Sequence, residues 1–244
     1  MSLFFFINWG RKAMRVSPGG KKEISDKITI LPGCAEITCR GKDIIALNLN
    51  SSINRKSSLQ GAIDQINRQN GLAILAHPSY LLKPYGRRKL LKLKDYLGME
   101  IYSPNKIPWP ETTRRWDFML SVRPYTKMWG FSSDDMHDLK RDAGRAWIMV
   151  KAKDRSHQAI LCALREGAFY ATTGPLVNNI LLSDNRINLT MPCDYQVKFI
   201  GYNRKNLQVS FGREVTYHIK PGDVYVRAEL KDLKHKKKAW TQPV

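Results

Sequence analysis

Strand-like and helix-like patterns alternate along this chain from Lys42 to Gly167, and the strand-like runs carry or end in side chains of the kind that bind metals. Lys42–Asn50, with Asp43-Ile-Ile-Ala-Leu-Asn, reads as a strand. Ser58–Asn70 spaces Leu59, Ala62, Ile63 and Ile66 as on one helix face, and Gly71 stops it. Leu72-Ala-Ile-Leu-Ala-His77 is continuously apolar up to the histidine, as in a strand buried on both faces. Pro78 is expected to hold His77 extended. Arg87–Tyr96 reads as a basic helix, and Gly98–Tyr102 as a short strand with Glu100 inside an apolar run. Thr112–Val122 and Ser156–Gly167 read as helices, Met128–Phe131 and Arg145–Lys153 as strands. Such alternation predicts βαβ units and a parallel sheet or barrel. In those folds, sites form at the carboxyl ends of the strands.

The polar residues fall where such a site would form. Glu36 lies in Ile28–Thr38, a predicted strand, Pro-Gly turn and strand, and His77 and Glu100 lie in or after the next runs. Trp129–Leu139 ends an apolar run in Asp134, Asp135 and His137. In extended backbone, Asp135 and His137 share a face and Asp134 takes the other. Converging carboxylate oxygens and imidazole nitrogens suit a transition-metal ion. Each residue also has a plain alternative: a solvated strand end, a Glu paired with Arg, a histidine capping a strand before proline. Taken in series they favour a shared cation, because an unpaired buried carboxylate is costly.

The flanks differ in character. Residues 1–27 form a basic, Gly-containing lead-in, and 28–177 hold the α/β pattern. Phe169–Pro175 reads as turn-rich. Residues 178–244 read as a small all-β domain of short strands, with Lys231–Lys238 as its last hairpin turn before Ala239-Trp240. A chain of 244 residues suffices for one large domain, or one with a small companion. Leu3–Trp9 is apolar but falls short of the ~20 residues that span a bilayer, and no other stretch approaches that length. It reads as a packed N-terminal segment or an interfacial anchor.

Lys and Arg number 41 against 21 acidic residues, a net charge of +20. That balance attracts nucleic acid, anionic membrane or phosphorylated substrates, or forms a solvated surface. No nucleic-acid-binding motif is present, so an anionic small molecule is the favoured partner over nucleic acid. Cys34, Cys39, Cys162 and Cys193 form no Cys-x-x-Cys pair, which fits reduced thiols in a cytoplasmic protein.

Four segments together resemble successive motifs of the PHP (polymerase and histidinol phosphatase) superfamily: Leu31-Pro-Gly-Cys-Ala-Glu36-Ile, Ala76-His77-Pro78, Met99-Glu100-Ile-Tyr102 and Ser133-Asp134-Asp135-Met-His137. Ala163–Pro175, Tyr225–Leu230 and Ala239–Pro243 resemble the tail of that group's metal-dependent hydrolase branch. The resemblance implies a distorted (β/α)7 barrel, here incomplete, followed by the small β-domain. It implies divalent metal, commonly zinc, manganese or iron, and hydrolysis, usually of phosphoesters. Carried over by position, Glu36, His77, Asp135 and His137 would be ligands, with Glu100 and Asp135 as candidate catalytic residues.

The chain departs from that pattern as well. Family members open with His-x-His and Thr-Asp-His, whereas the histidines here are His77, His137, His157, His218 and His235. Either the sequence is a piece of a longer protein, or it is a divergent member binding anionic partners through its charge. An incomplete barrel has an open edge, expected to be covered by Leu3–Trp9 or by an oligomeric partner. A Glu/His/Asp/His set could still hold one ion. The activity implied is attack by a metal-activated water. Arg87, Arg88 and Lys106 are candidates to stabilise the developing charge, if they are more than solvated surface.

Overall fold

The computed structural model describes residues 3–7, 33–82, 84–106 and 108–244. Its first half comprises β1 (Leu3–Ile7), β2 (Ala35–Cys39), β3 (Lys42–Leu47), α1 (Leu59–Arg68), β4 (Leu72–Leu75), α2 (Arg87–Lys92), β5 (Gly98–Tyr102), α3 (Thr113–Val122) and β6 (Trp129–Ser132). Then follow α4 (Leu139–Asp142), β7 (Trp147–Ala152), α5 (His157–Glu166), β8 (Phe169–Thr172), β9 (Asn179–Ser183), β10 (Arg186–Ile200), β11 (Asn206–His218), β12 (Arg227–Lys231) and β13 (Lys238–Thr241). The predicted strand before the Pro-Gly turn, and most of the lead-in 1–27, lie outside the described residues.

Five strands form a sheet in the order β2-β3-β4-β5-β6. Only β4, β5 and β6 run parallel; β3 is antiparallel to both its neighbours. The expected parallel pairing thus holds for β4, β5 and β6, and β2 and β3 add to it antiparallel. Arg40 and Gly41, both at positive φ, reverse the chain in a hairpin too short for a crossover. Gly98 is required where β5 meets β6, since a Cβ there would lie 2.1 Å from the Trp129 carbonyl oxygen.

The helices follow from local chemistry. Ser58 Oγ accepts from Gly61 N at 3.0 Å and starts α1, which buries Leu59, Ala62, Ile63 and Ile66 against the sheet. Each large side chain among them contributes roughly 1.5–3 kcal/mol of burial. Ser156 caps α5 in the same way, and Gly167 ends it in the left-handed region at φ 72°.

An eight-stranded, open sheet runs β1-β7-β8-β13-β12-β10-β11, with β9 also on β10. It joins strands from both sides of the predicted boundary at 177/178. Among the described residues neither sheet closes into a barrel. Phe169–Thr172, read as turn-rich, is a fully buried strand held between β7 and β13. Leu3–Ile7 pairs along β7 and covers that strand's outer side. The two sheets meet through side chains. Ser132 Oγ donates to the Trp147 carbonyl at 2.5 Å, and the Gln242 amide bonds both Gly130 N (2.8 Å) and Gly130 O (2.9 Å). Gln242 thus acts as a surrogate strand on the outer edge of β6.

Candidate metal centre

Antiparallel placement of β3 decides the site. Glu36 lies opposite Ile45, and Thr38 opposite Asp43, so Glu36 and Asp43 share a face. Ile45 lies opposite Ile74, which in turn pairs with Gly98, two residues before Glu100. By the same alternation Glu100 belongs to that face. Because β3 is reversed, its first residues lie beside the carboxyl end of β4, where His77 follows.

His77 Nε2 is 3.6 Å from Glu36 Oε1 and 3.7 Å from Asp43 Oδ2. One donor atom from each of the three lies within 4.8 Å of the others. Both ring nitrogens of His77 are buried without a hydrogen-bond partner among the described residues, an arrangement costing about 1–3 kcal/mol per group. The separations are too long for hydrogen bonds. They are a few tenths of an ångström above the ~3.3 Å between two ligands that sit ~2.0–2.1 Å from one tetrahedral ion. Two carboxylates and an imidazole form a donor set suited to zinc, manganese or iron. The residues present therefore fit a divalent ion.

The surroundings concentrate negative charge. The Tyr85 hydroxyl, donating to the Asp43 carbonyl at 2.6 Å, is raised well above its usual range, first by burial and then by Asp43, Cys39, Glu100 and Glu36. His77 itself has φ 30°, which corrects the expected extended conformation. Its backbone N–H donates to Glu100 Oε2 at 2.7 Å, and its carbonyl accepts from Tyr80 N at 2.9 Å. These bonds outweigh the preference imposed by Pro78. A non-glycine residue at such φ stores strain of the sort that clusters at functional sites.

A second cluster lies beyond Glu100. Glu100 Oε1 accepts from Ser133 Oγ at 2.5 Å. Burial raises the Glu100 carboxyl to about 6; His77 lowers it, Asp135 raises it, and the hydrogen bonds from Ser133 and the His77 backbone lower it. Asp135 makes a buried ion pair with Lys106 Nζ. Lys106 also lies 4.8 Å over the Tyr80 ring, which meets the His77 ring edge-on at 5.5 Å. Tyr80 therefore links the two clusters.

The loop after β6 departs from the extended geometry expected of it. The strand ends at Ser132, and Asp135 has φ 48°. Asp134 caps the chain ahead of β7, accepting from Gly144, Arg145 and Ala146 N–H groups at 2.6–2.7 Å. His137 Nδ1 lies 2.7 Å from the Asp135 carbonyl. Among the described residues, Asp135 and His137 do not join Glu36, Asp43 and His77 in one compact donor group. Of the basic candidates, only Lys106 is buried at the site; Arg87 stacks over Phe118, and Arg88 is exposed. Asp43 is the residue that sequence reasoning missed. Its signal was an acid opening an apolar strand directly after a Gly turn.

No family model matches the chain, and no curated protein matches it. Among solved structures it is similar to a two-domain protein from Bacteroides vulgatus containing a predicted PHP-like metal-dependent phosphoesterase. The identity is 17% and the TM-score 0.46, over 82% of this chain and 70% of that one. A likeness of this strength assigns no residue a role. No helix among the described residues is long and apolar enough to cross a membrane.

Proposed function

We propose that this chain is a metal-dependent hydrolase of the PHP type, acting on a phosphoester. Its divalent ion is held by Glu36, Asp43 and His77. The observation that carries this reading is the buried imidazole of His77, without hydrogen bonds and facing two carboxylates. When bound, such an ion supplies a Lewis acid that lowers the pKa of a nearby water.

The chain's own residues supply the rest. Glu100 has both oxygens engaged, one by Ser133 and one by the His77 backbone, so it positions the histidine rather than reacting. Lys106 offers a fixed positive charge beside Asp135, where an anionic substrate would gather developing charge. The +20 net charge draws such substrates toward the protein.

The test is hydrolysis of p-nitrophenyl phosphate by the full chain loaded in turn with zinc, manganese and iron. Saturable turnover is expected, abolished by EDTA, restored by readdition of the ion and absent in His77→Ala. One observation favours a second reading, a non-catalytic ion-binding protein. Asp135 is already neutralised by Lys106, so only part of the acidic cluster calls for an ion. Bound metal without turnover under any of the three ions would select it.

A further inference from the structure

Helix α3 presents a second site on its other side. Trp116, Met119 and Leu120 are buried in the core, whereas Arg114, Asp117, Phe118 and Ser121 follow the i, i+3, i+4, i+7 spacing of one face. That face lines an open pocket of about 300 Å³, flanked by Arg87 from α2 and by Arg204 from the β10–β11 turn. The volume lies at the lower end of the small-ligand range.

The charges in this cavity do not balance. Asp117, fully buried, is held by the buried Arg227 through two bonds, Nε–Oδ1 at 2.7 Å and Nη2–Oδ2 at 2.8 Å. Arg204 Nη1 also reaches Asp117 Oδ2, at 3.2 Å. One carboxylate thus already serves two guanidinium groups. Arg87 and Arg114 line the same cavity with no carboxylate partner among the described residues. Burial and the neighbouring Arg87 lower the pKa of Arg115, whose side chain bonds Ser79 Oγ and the Tyr85 carbonyl. Three guanidinium groups, those of Arg87, Arg114 and Arg204, thus flank the pocket and are available to a bound anion. The Arg87 guanidinium lies over one face of the Phe118 ring, 4.8 Å from its centroid, so the cationic and aromatic surfaces of the pocket adjoin.

We propose that this cavity binds a small organic phosphate, with the phosphate on Arg87, Arg114 and Arg204 and a planar apolar group against Phe118. It is separate from the metal centre: its residues come from the outer face of α3 and the turn after β10, not from the ends of β2, β3 and β4. The Asn203 N–H donates to Ser121 Oγ at 2.9 Å, so one wall belongs to the C-terminal strands, and occupancy would tie them to α3.

The probe is AMP, titrated calorimetrically into the full chain in EDTA, with inorganic phosphate and a short single-stranded oligonucleotide as comparison arms. Saturable one-site binding of AMP is expected, weakened by added salt and unchanged in His77→Ala. Arg114→Glu and Arg87→Ala, both at exposed side chains, should each weaken it roughly tenfold or more while leaving the circular dichroism intact. Inorganic phosphate should bind more weakly than AMP. No saturation, wild-type affinity in both variants, or loss in His77→Ala would overturn the proposal. So would equal affinity for inorganic phosphate, or displacement of AMP by the oligonucleotide at lower concentration.

Discussion

Two buried carboxylate sites in this molecule are resolved in opposite ways. At the seam between α3 and the C-terminal strands, Asp117 meets Arg227 in a fully buried, two-bond ion pair, and Arg227 further stacks 5.0 Å over Trp116. At the edge formed by β2, β3 and β4, Glu36 and Asp43 instead face an imidazole whose ring nitrogens are buried without hydrogen bonds. The first site carries its own cation within the chain. The second brings two carboxylates and an imidazole together. Asp135, paired with Lys106, stands between the two types. The difference teaches that burial of acid alone does not mark a metal site; what marks it is the convergence of carboxylate and imidazole donors on one point.

The largest effect is expected at the internally matched site. Asp117→Ala leaves Arg227 buried and uncompensated, and should cost about 3–5 kcal/mol in chemical denaturation. Asp43→Asn should behave differently. In EDTA it should leave stability near that of the unaltered protein, yet weaken ion binding by more than the roughly 10–100-fold that loss of an outer-shell partner costs, read in a competition titration. A loss in EDTA as large as that of Asp117→Ala would erase the contrast between the sites.

Lys106→Met sharpens the intermediate case. It should cost about 1–3 kcal/mol in EDTA, because Asp135 loses its partner, and the loss should stay the same when zinc or manganese is added, since Asp135 lies outside the donor group. The smallest effect is expected for Lys127→Ala. Its pairing with Glu166 at 3.2 Å is largely exposed on both sides, so the change should stay below about 0.5 kcal/mol, and raised salt should reduce it further.

Much of this contrast was legible in the residues, and the exceptions have physical causes. Glu36, His77 and Glu100 stood out because apolar runs led to each of them, and β2, β4 and β5 bring them to one end of the sheet. Asp43 escaped notice because sites were sought at the carboxyl ends of parallel strands. Reversal of β3 by the Arg40-Gly41 hairpin brings its first residues to that end instead. His77 was expected to be extended before Pro78, but the Glu100 carboxylate, distant in sequence, captures its N–H. Likewise, alternation along Trp129–Leu139 failed after Ser132, where Asp134 turns inward to cap Gly144–Ala146. The pairing of the later strands was not legible for a similar reason. Local periodicity reports each strand, but not that β8 is taken up between β7 and the C-terminal β13.

The most direct test is the divalent-metal content of the folded chain by elemental analysis, after saturation with zinc or manganese and removal of free ion, in the unaltered protein and in His77→Ala. One tightly held ion per chain in the former, and none in the latter at unchanged circular dichroism, is the expected result. An unaltered protein without metal, or a His77→Ala variant that retains the same ion, would contradict the account.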